Sequence, residues 1–177
     1  MLRLTLDMDD VMADTYEKLA GIVLEDFDTA LTQKDFDTKP LRQLLHPKQL
    51  TRLNKIMNEP GFFADIPVKK DARETILKLS SFYEIYVATA AMEFPNSFKD
   101  KFDWLQKHFS FIPWTNIVFC GHKSIIHSDY LIDDQVRNLN AFKGEGILFT
   151  ATHNLSDKTF RRVSSWQEVS ELFLPNK

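Results

Sequence analysis

The stretch that decides the fold is residues 2–10, which read Leu-Arg-Leu-Thr-Leu-Asp-Met-Asp-Asp. Its first five residues alternate between apolar and polar side chains, which is the period of a β-strand, and they run directly into an acidic cluster. From Asp14 onward, apolar residues recur at spacings of three and four, as on a helix: Tyr16, Leu19, Ala20, Val23, Leu24 and Phe27. The chain therefore begins with a strand that ends in carboxylates and is followed by a helix.

The rest of the chain repeats this alternation of strands and helices. Strands are predicted at residues 83–88, 116–120, 130–132 and 146–150, and helices at 71–81, 97–109 and 166–173. We expect Asp71 to cap the first of these helices. The alternation predicts a doubly wound α/β fold with mostly parallel strands, in which sites form beyond the carboxyl ends of the strands.

The segment between the first and second predicted strands contains no convincing strand of its own. Its leucines have helical spacing, and Pro40, Pro47 and Pro60 divide it into short pieces. We predict a small helical cap at residues 15–71, inserted after the first strand of an α/β core made of residues 1–14 and 72–177.

Composition limits the classes of partner. The 177 residues suffice for one core with a small insert, and 22 Lys and Arg against 25 Asp and Glu give a net charge of −3. This charge lacks the basic excess of a protein that binds a nucleic-acid polymer. The single cysteine, Cys120, and the absence of a long apolar run favour a cytoplasmic protein without a membrane partner. The oligomeric state is left open, a homodimer included.

Reactive side chains stand at the ends of three predicted strands. They are Asp7 and Asp9, then Thr89, and then Asp133 and Asp134. A parallel sheet would bring them together, where two carboxylates at ~4 Å repel by about 1 kcal/mol in water and about 4 kcal/mol at an effective dielectric near 20. A bound cation would relieve this repulsion. Because only oxygen ligands are offered, the expected ion is Mg²⁺.

A Mg²⁺ ion beside a lysine suits phosphoryl transfer, in which the protein mainly positions groups and neutralises charge. Lys123, just beyond the strand that ends at Cys120, is the candidate lysine. An aspartate nucleophile divides the displacement into formation and hydrolysis of an aspartyl-phosphate, and a second carboxylate serves as acid and then as base. Asp7 and Asp9 are suited to these two roles.

The stretch from Leu4 to Val11 resembles the Asp-x-Asp-x-Thr/Val signature of the haloacid dehalogenase superfamily of phosphatases. Thr89, Lys123 and the pair Asp133 and Asp134 resemble its three remaining motifs, in the same order. Within that superfamily the chain is similar to the 5'(3')-deoxyribonucleotidase family, at residues 7–14, 59–63, 101–104 and 131–134. The resemblance implies a haloacid dehalogenase-like Rossmannoid core with a cap.

The resemblance also implies roles for individual acids. Asp7 would be the nucleophile and a Mg²⁺ ligand, and Asp9 the general acid and base whose backbone carbonyl also binds the metal. Asp134 would be the third protein ligand of the metal, and Asp133 a supporting acid.

The remaining implied roles concern the substrate. Thr89, Lys101 and Lys123 would hold the phosphate, while the cap, with Phe62 and Phe63 as candidate contacts, would close over the nucleoside. The family's substrates are deoxyribonucleoside monophosphates, especially those of uracil and thymine, with the phosphate on the 5' or 3' oxygen. Trp114 is a further aromatic candidate for stacking on a base.

Four positions depart from the mammalian pattern of the family. Asp10 replaces a glycine, Thr15 an aromatic residue near the base, Ala90 a serine and Gln135 an arginine. The catalytic acids are unaffected, so these changes bear on base recognition and substrate range.

Single positions in the sequence distinguish several other functions. A response-regulator receiver would need a strand and its acceptor Asp roughly 50 residues into the chain, where this sequence is helical. A thiol phosphatase built on Cys120 would need Arg where Ile126 stands, and a phosphate-binding loop at Lys123 would need Gly where His122 stands. A phosphatase of another small phosphometabolite, a phosphotransferase and a non-catalytic Mg²⁺-binding relative stay open as alternatives.

Overall fold

A six-stranded sheet forms the centre of the protein in a computed structural model that describes residues 1–175. Its strands are β1 (Leu2–Leu6), β2 (Tyr83–Thr89), β3 (Ile117–Phe119), β4 (Tyr130–Asp133), β5 (Glu145–Phe149) and β6 (Arg161–Val163). The strand order is β3-β2-β1-β4-β5-β6, and every neighbouring pair is parallel. The predicted doubly wound α/β fold is confirmed.

Residues 1–175 contain eight α-helices. They are α1 (Thr15–Asp26), α2 (Gln33–Phe36), α3 (Leu41–Leu44), α4 (Pro47–Met57), α5 (Ala72–Leu79), α6 (Phe98–His108), α7 (Val136–Ala141) and α8 (Trp166–Phe173). Helices α1 to α5 all lie between β1 and β2, as the helical insert requires, and α5 packs against β2 and α8. The division at residues 15 and 71 into cap and core stays a prediction.

The apolar residues of β1 anchor the sheet in the core. Leu4 and Leu6 are fully buried, and each contributes about 1.5–3 kcal/mol by burial. Two buried indoles fix the segments around the sheet: the Nε1–H of Trp166 donates to the carbonyl of Val11 at 2.8 Å, and that of Trp104 donates to the carbonyl of Ile66 at 2.7 Å. The loop after β1 is therefore tied to α8, and the segment that follows α4 is tied to α6.

Two antiparallel segments connect the helical insert with the sheet. The backbone N–H of Asp14 donates to Pro67 O at 2.7 Å, and that of Lys69 donates to Met12 O at 2.8 Å. An ion pair between Lys69 Nζ and Asp14 Oδ1 at 2.9 Å reinforces the crossing. The chain thus leaves and re-enters the core at one place.

Two details of the sequence prediction were wrong. Strand β6 was not predicted, because its three residues include two arginines and offer no apolar alternation. Helix α5 begins after Asp71 as expected, but Asp71 has a left-handed backbone with φ of 63° and its side chain makes no capping hydrogen bond. Within residues 1–175, no helix combines the length and apolar character needed to cross a bilayer.

Candidate active site

The carboxyl ends of β1, β2 and β4 bring the predicted residues together. Asp7 directly follows β1, and its backbone N–H donates to Ile132 O of β4 at 2.9 Å. Thr89 is the last residue of β2 and Asp133 the last residue of β4. Because Leu6 pairs with both Val87 and Ile132, the three strands end at one level. The expected meeting of strand ends is therefore present.

Three buried carboxylates form the centre of the site. Asp7, Asp133 and Asp134 each offer an oxygen within 4.8 Å of the others. Burial raises the pKa of Asp7 well above its usual value, Lys123 opposes this, and the neighbouring carboxylates add to it. A group of oxygen donors with this unfavourable clustering of negative charge fits a hard divalent cation.

Lys123 supplies positive charge inside the cluster. Its ammonium contacts Asp7 Oδ1 and lies 2.6 Å from Asp133 Oδ2, with no exposed side-chain surface. Burial alone would lower the pKa of Lys123, but Asp7 and Asp133 outweigh it and raise the pKa above its usual value. Lys123 is therefore a fixed cation beside Asp7.

The two neighbouring acids Asp133 and Asp134 have different surroundings. Asp133 Oδ1 accepts from the backbone N–H of Gln135 at 2.8 Å, and Asn138 Nδ2 donates to both carboxylate oxygens at 3.1 and 3.0 Å. With Lys123 added, both oxygens of Asp133 are occupied by donors. This arrangement suits a supporting acid.

Within residues 1–175, one carboxylate oxygen of Asp134 accepts a hydrogen bond and the other does not. Its Oδ2 accepts from Gln135 Nε2 at 2.9 Å and lies 3.2 Å from His153 Nε2, while its backbone carbonyl accepts from Asn154 Nδ2 at 2.8 Å. Among residues 1–175, Oδ1 of Asp134 has no hydrogen-bond donor. Asp134 is thus better placed than Asp133 to give an oxygen to a cation.

Asp9 is held between two donors. Lys101 Nζ contacts Asp9 Oδ2 at 2.5 Å, and Thr15 Oγ1 donates to Asp9 Oδ1 at 3.0 Å. Lys101 is buried, donates also to Thr89 Oγ1 at 3.1 Å, and lies 4.6 Å from the centre of the Phe63 ring. The lysine on the face of α6 therefore belongs to the site.

Asp10 occupies a backbone conformation that glycine adopts most easily. Its φ is 58°, and its carboxylate accepts from the backbone N–H of Tyr16 at 2.8 Å, which compensates part of the strain. Burial, followed by the negative charge of Asp134, raises the pKa of Asp10 to about 7. This backbone conformation explains why glycine is suited to position 10.

A cavity of ≈ 440 Å³ opens above these groups. The insert and the segment after β2 supply its apolar wall, which consists of Leu19, Met57, Phe63 and Phe94, with the amide of Asn54 beside them. Phe62 is buried and packs edge-on against Phe63. Trp114 is 71% exposed just before β3. A larger open cleft of ≈ 820 Å³ lies near Arg3 and Glu84 and contains none of the clustered acids.

Sequence reasoning missed several residues of the site. Asn138 stands one helical turn after Asp134, which is a usable signal, whereas His153 and Asn154 reach the site from the loop after β5 with no local pattern to mark them. Thr15 was noted only as a departure near the base, and its hydroxyl instead contacts Asp9.

An all-parallel sheet with acids at the ends of β1 and β4, a lysine beside them and a helical insert after β1 is the fold of haloacid dehalogenase-like proteins. A solved haloacid dehalogenase-like family hydrolase from Streptococcus pneumoniae has the same fold, with a TM-score of 0.65 at 13% identity over 98% of both chains. Within this class, the chain belongs to the family described as "5' nucleotidase, deoxy (Pyrimidine), cytosolic type C protein", whose model matches residues 1–177.

Individual relatives agree with this membership. A Bacillus subtilis protein named 5'(3')-deoxyribonucleotidase is 33% identical over 173 residues, which cover 97% of this chain and 98% of the relative. A Staphylococcus aureus protein, whose name assigns the same activity provisionally, is 40% identical over 173 residues, covering 98% and 96%. The resemblance noted in the sequence is confirmed, and the chain is an enzyme of the phosphoric monoester hydrolase class.

Proposed function

We propose that the protein is a Mg²⁺-dependent phosphatase of deoxyribonucleoside monophosphates that works through an aspartyl-phosphate on Asp7. The observation that carries the proposal is the buried cluster of Asp7, Asp133 and Asp134, whose oxygens lie within 4.8 Å of one another, with the Lys123 ammonium in contact with Asp7 and Asp133. Family membership and the names of the relatives supply the substrate class.

Mg²⁺ would be held by carboxylate oxygens of Asp7 and Asp134 and by the backbone carbonyl of Asp9. Bound there, it would neutralise charge on the phosphate oxygens and make phosphorus more electrophilic. The free oxygen of Asp134 supports this choice, as does the full hydrogen bonding of Asp133, which would orient Lys123 instead of binding metal.

The phosphate would lie between Lys123, Lys101 and Thr89. Lys123 contacts Asp7, and Lys101 contacts both Asp9 and Thr89, so the two lysines are joined to the two acids, and Thr89 to Lys101, by direct contacts. Both lysines are almost fully buried, and an ammonium in a water-poor site stabilises developing phosphate charge more strongly than one in water.

The reaction would proceed in two displacements at phosphorus. A carboxylate oxygen of Asp7 attacks phosphorus, the bond from phosphorus to the ester oxygen breaks, and Asp9 gives its proton to the departing nucleoside oxygen. Water then attacks the aspartyl-phosphate, Asp9 takes the proton of that water, and the bond from phosphorus to Asp7 breaks to release inorganic phosphate.

The nucleoside would occupy the cavity between the core and residues 15–71, which we propose as the cap. Phe63 and Met57 offer apolar surface for a base, Phe62 supports Phe63 from behind, and Asn54 offers an amide. The proposed partners are therefore small phosphate monoesters. The cytoplasmic location and a homodimer stay predictions from the sequence.

Phosphate release from a panel of compounds tests the proposal. The panel contains dUMP, dTMP, their 3' isomers, ribonucleotides and sugar phosphates, each measured with Mg²⁺ and with EDTA. We expect Mg²⁺-dependent release that is fastest from the deoxyribonucleotides. Turnover of sugar phosphates alone would refute the nucleoside assignment, undiminished turnover in EDTA would refute the metal, and inactivity on every compound would favour a non-catalytic binding protein.

A further inference from the structure

The hydrogen bond between Thr15 and Asp9 crosses the connection between core and insert. Asp9 lies on the core side of the antiparallel crossing formed by residues 12–14 and 67–69, and Thr15 is the first residue of α1 beyond it. The side chain of an insert helix therefore touches the carboxylate proposed as general acid and base, at 3.0 Å.

The contact fixes the plane of the Asp9 carboxylate. Thr15 donates to Oδ1, while Lys101 occupies Oδ2 at 2.5 Å and is itself fastened by Thr89 at 3.1 Å. Two donors on opposite oxygens restrict rotation of the carboxylate about its last bond, which is otherwise a broad torsion. Oδ2 is thereby kept on the side of Lys101 and Thr89, where the phosphate is proposed to bind.

We propose that Thr15 is a positioning residue that orients the Asp9 carboxylate for proton transfer. This inference rests on the proposed function, because it assigns Thr15 to the acid and base step of that reaction. It also ties the orientation of Asp9 to the position of α1, since Thr15 is held by the first turn of that helix.

The hydroxyl of Thr15, and not its shape, would carry this role. Thr15 is only 4% exposed, so its hydroxyl is shielded from solvent and directed to Asp9, whose side chain remains 30% exposed. An ionised carboxylate can only accept, so loss of the Thr15 donor leaves Oδ1 of Asp9 free to turn toward solvent or toward another donor. Replacement of Thr15 by valine keeps the shape and removes the donor, whereas serine keeps the donor.

The test compares Thr15→Val, Thr15→Ser and a control, Thr75→Val, which removes another buried threonine hydroxyl, on α5, that does not line the cavity at the acids. Well-placed acid and base catalysis contributes about 10²–10⁴-fold, so we expect misplacement of Asp9 in Thr15→Val to lower kcat by about tenfold or more. We expect KM for dUMP to change less than about twofold, and Thr15→Ser and Thr75→Val to retain near wild-type kcat. Asp9→Asn shows how far kcat falls when the acid and base group is removed completely.

A second readout uses p-nitrophenyl phosphate, whose weakly basic leaving group departs without a proton. Thr15→Val should still phosphorylate Asp7 with this compound but hydrolyse the phosphoenzyme slowly, which gives a burst of p-nitrophenol before slow turnover. Rescue by serine together with this burst distinguishes positioning from a general loss of folding.

The outcomes separate the inference from the proposed function. If the wild type turns over dUMP with Mg²⁺ and Thr15→Val keeps full kcat, the inference is refuted and the function stands. If Thr15→Ser is as slow as Thr15→Val, shape and not the hydroxyl matters, which also refutes it. A wild type without activity on the whole panel overturns the proposed function and this inference with it.

Discussion

Because of Asp10, the stability of the protein should fall as the pH rises, and Asp10→Asn should remove this part of the pH dependence. A carboxyl whose pKa is raised on folding is favourable only while protonated. Its contribution is therefore complete below its unfolded pKa near 4 and is lost as the pH rises through its folded pKa of about 7. Asparagine keeps an oxygen that can accept from the Tyr16 N–H, tolerates a positive φ, and carries no charge.

The size of the effect follows from the pKa. A carboxyl whose pKa moves from 3.8 to about 7 costs the folded state about 4 kcal/mol at pH 8, at about 1.36 kcal/mol for each tenfold change in acidity. The Asp10 side chain is only partly buried, so solvent screening reduces this to about 2 kcal/mol. For a chain of this length, we expect Asp10→Asn to unfold about 4–8 °C higher than the wild type at pH 8.

The measurement is thermal unfolding in EDTA between pH 4 and 8, followed by circular dichroism. The two proteins should unfold at nearly the same temperature at pH 4, and Asp10→Asn should gain steadily as the pH rises. An Asp10→Asn protein whose advantage is constant across this range, or absent at pH 8, would refute the assignment of a raised pKa to Asp10.

Two further predictions concern buried groups. Lys123→Met leaves Asp7 and Asp133 without their counter-charge, so we expect a loss of about 3–5 kcal/mol in unfolding free energy at pH 8. Lys99→Met, which removes an exposed lysine, serves as the control with little change, and equal effects of the two substitutions would contradict the burial argument. Cys120 is buried and its thiol pKa is raised by burial, so iodoacetamide should modify it far more slowly in the native protein than in urea; equal rates would show that it is accessible.

The core of the site was predictable because it depends on topology. Once β1 and β4 are identified as parallel strands, the residues after them must lie at one edge of the sheet, and Asp7, Asp133 and Asp134 do so. The sequence also indicated that Lys123 follows β3 closely. Its short connection to the edge of the sheet leaves few other places for this lysine.

The contacts that orient these groups were less predictable, because they depend on how separate elements pack. His153 and Asn154 reach Asp134 from a loop whose path is set by β5 and β6, and β6 itself has no recognisable apolar pattern. Lys101 is distinguished from any other lysine on a helix face by its contact with Asp9, which lies 92 residues away in the sequence. The contact of the Thr15 hydroxyl with Asp9 depends on the antiparallel crossing of residues 12–14 and 67–69, which places the start of α1 beside Asp9.

Local backbone geometry also limited what could be predicted from the sequence. Asp71 stands immediately before α5, where an aspartate usually caps a helix, but its left-handed backbone coincides with a side chain that makes no capping bond. Asp10 adopts a similar backbone, and there the carboxylate finds the N–H of Tyr16. The residue type alone does not distinguish these two outcomes.

The proposed covalent role of Asp7 is tested most directly by trapping the phosphoenzyme. The protein is mixed with dUMP and Mg²⁺, quenched in acid within milliseconds, digested, and analysed by mass spectrometry, with Asp7→Asn as the control. We predict a phosphate on the peptide that contains Asp7, and in Asp7→Asn neither this phosphate nor turnover, with folding intact. Turnover by Asp7→Asn, or a trapped phosphate on any other residue, would contradict the account.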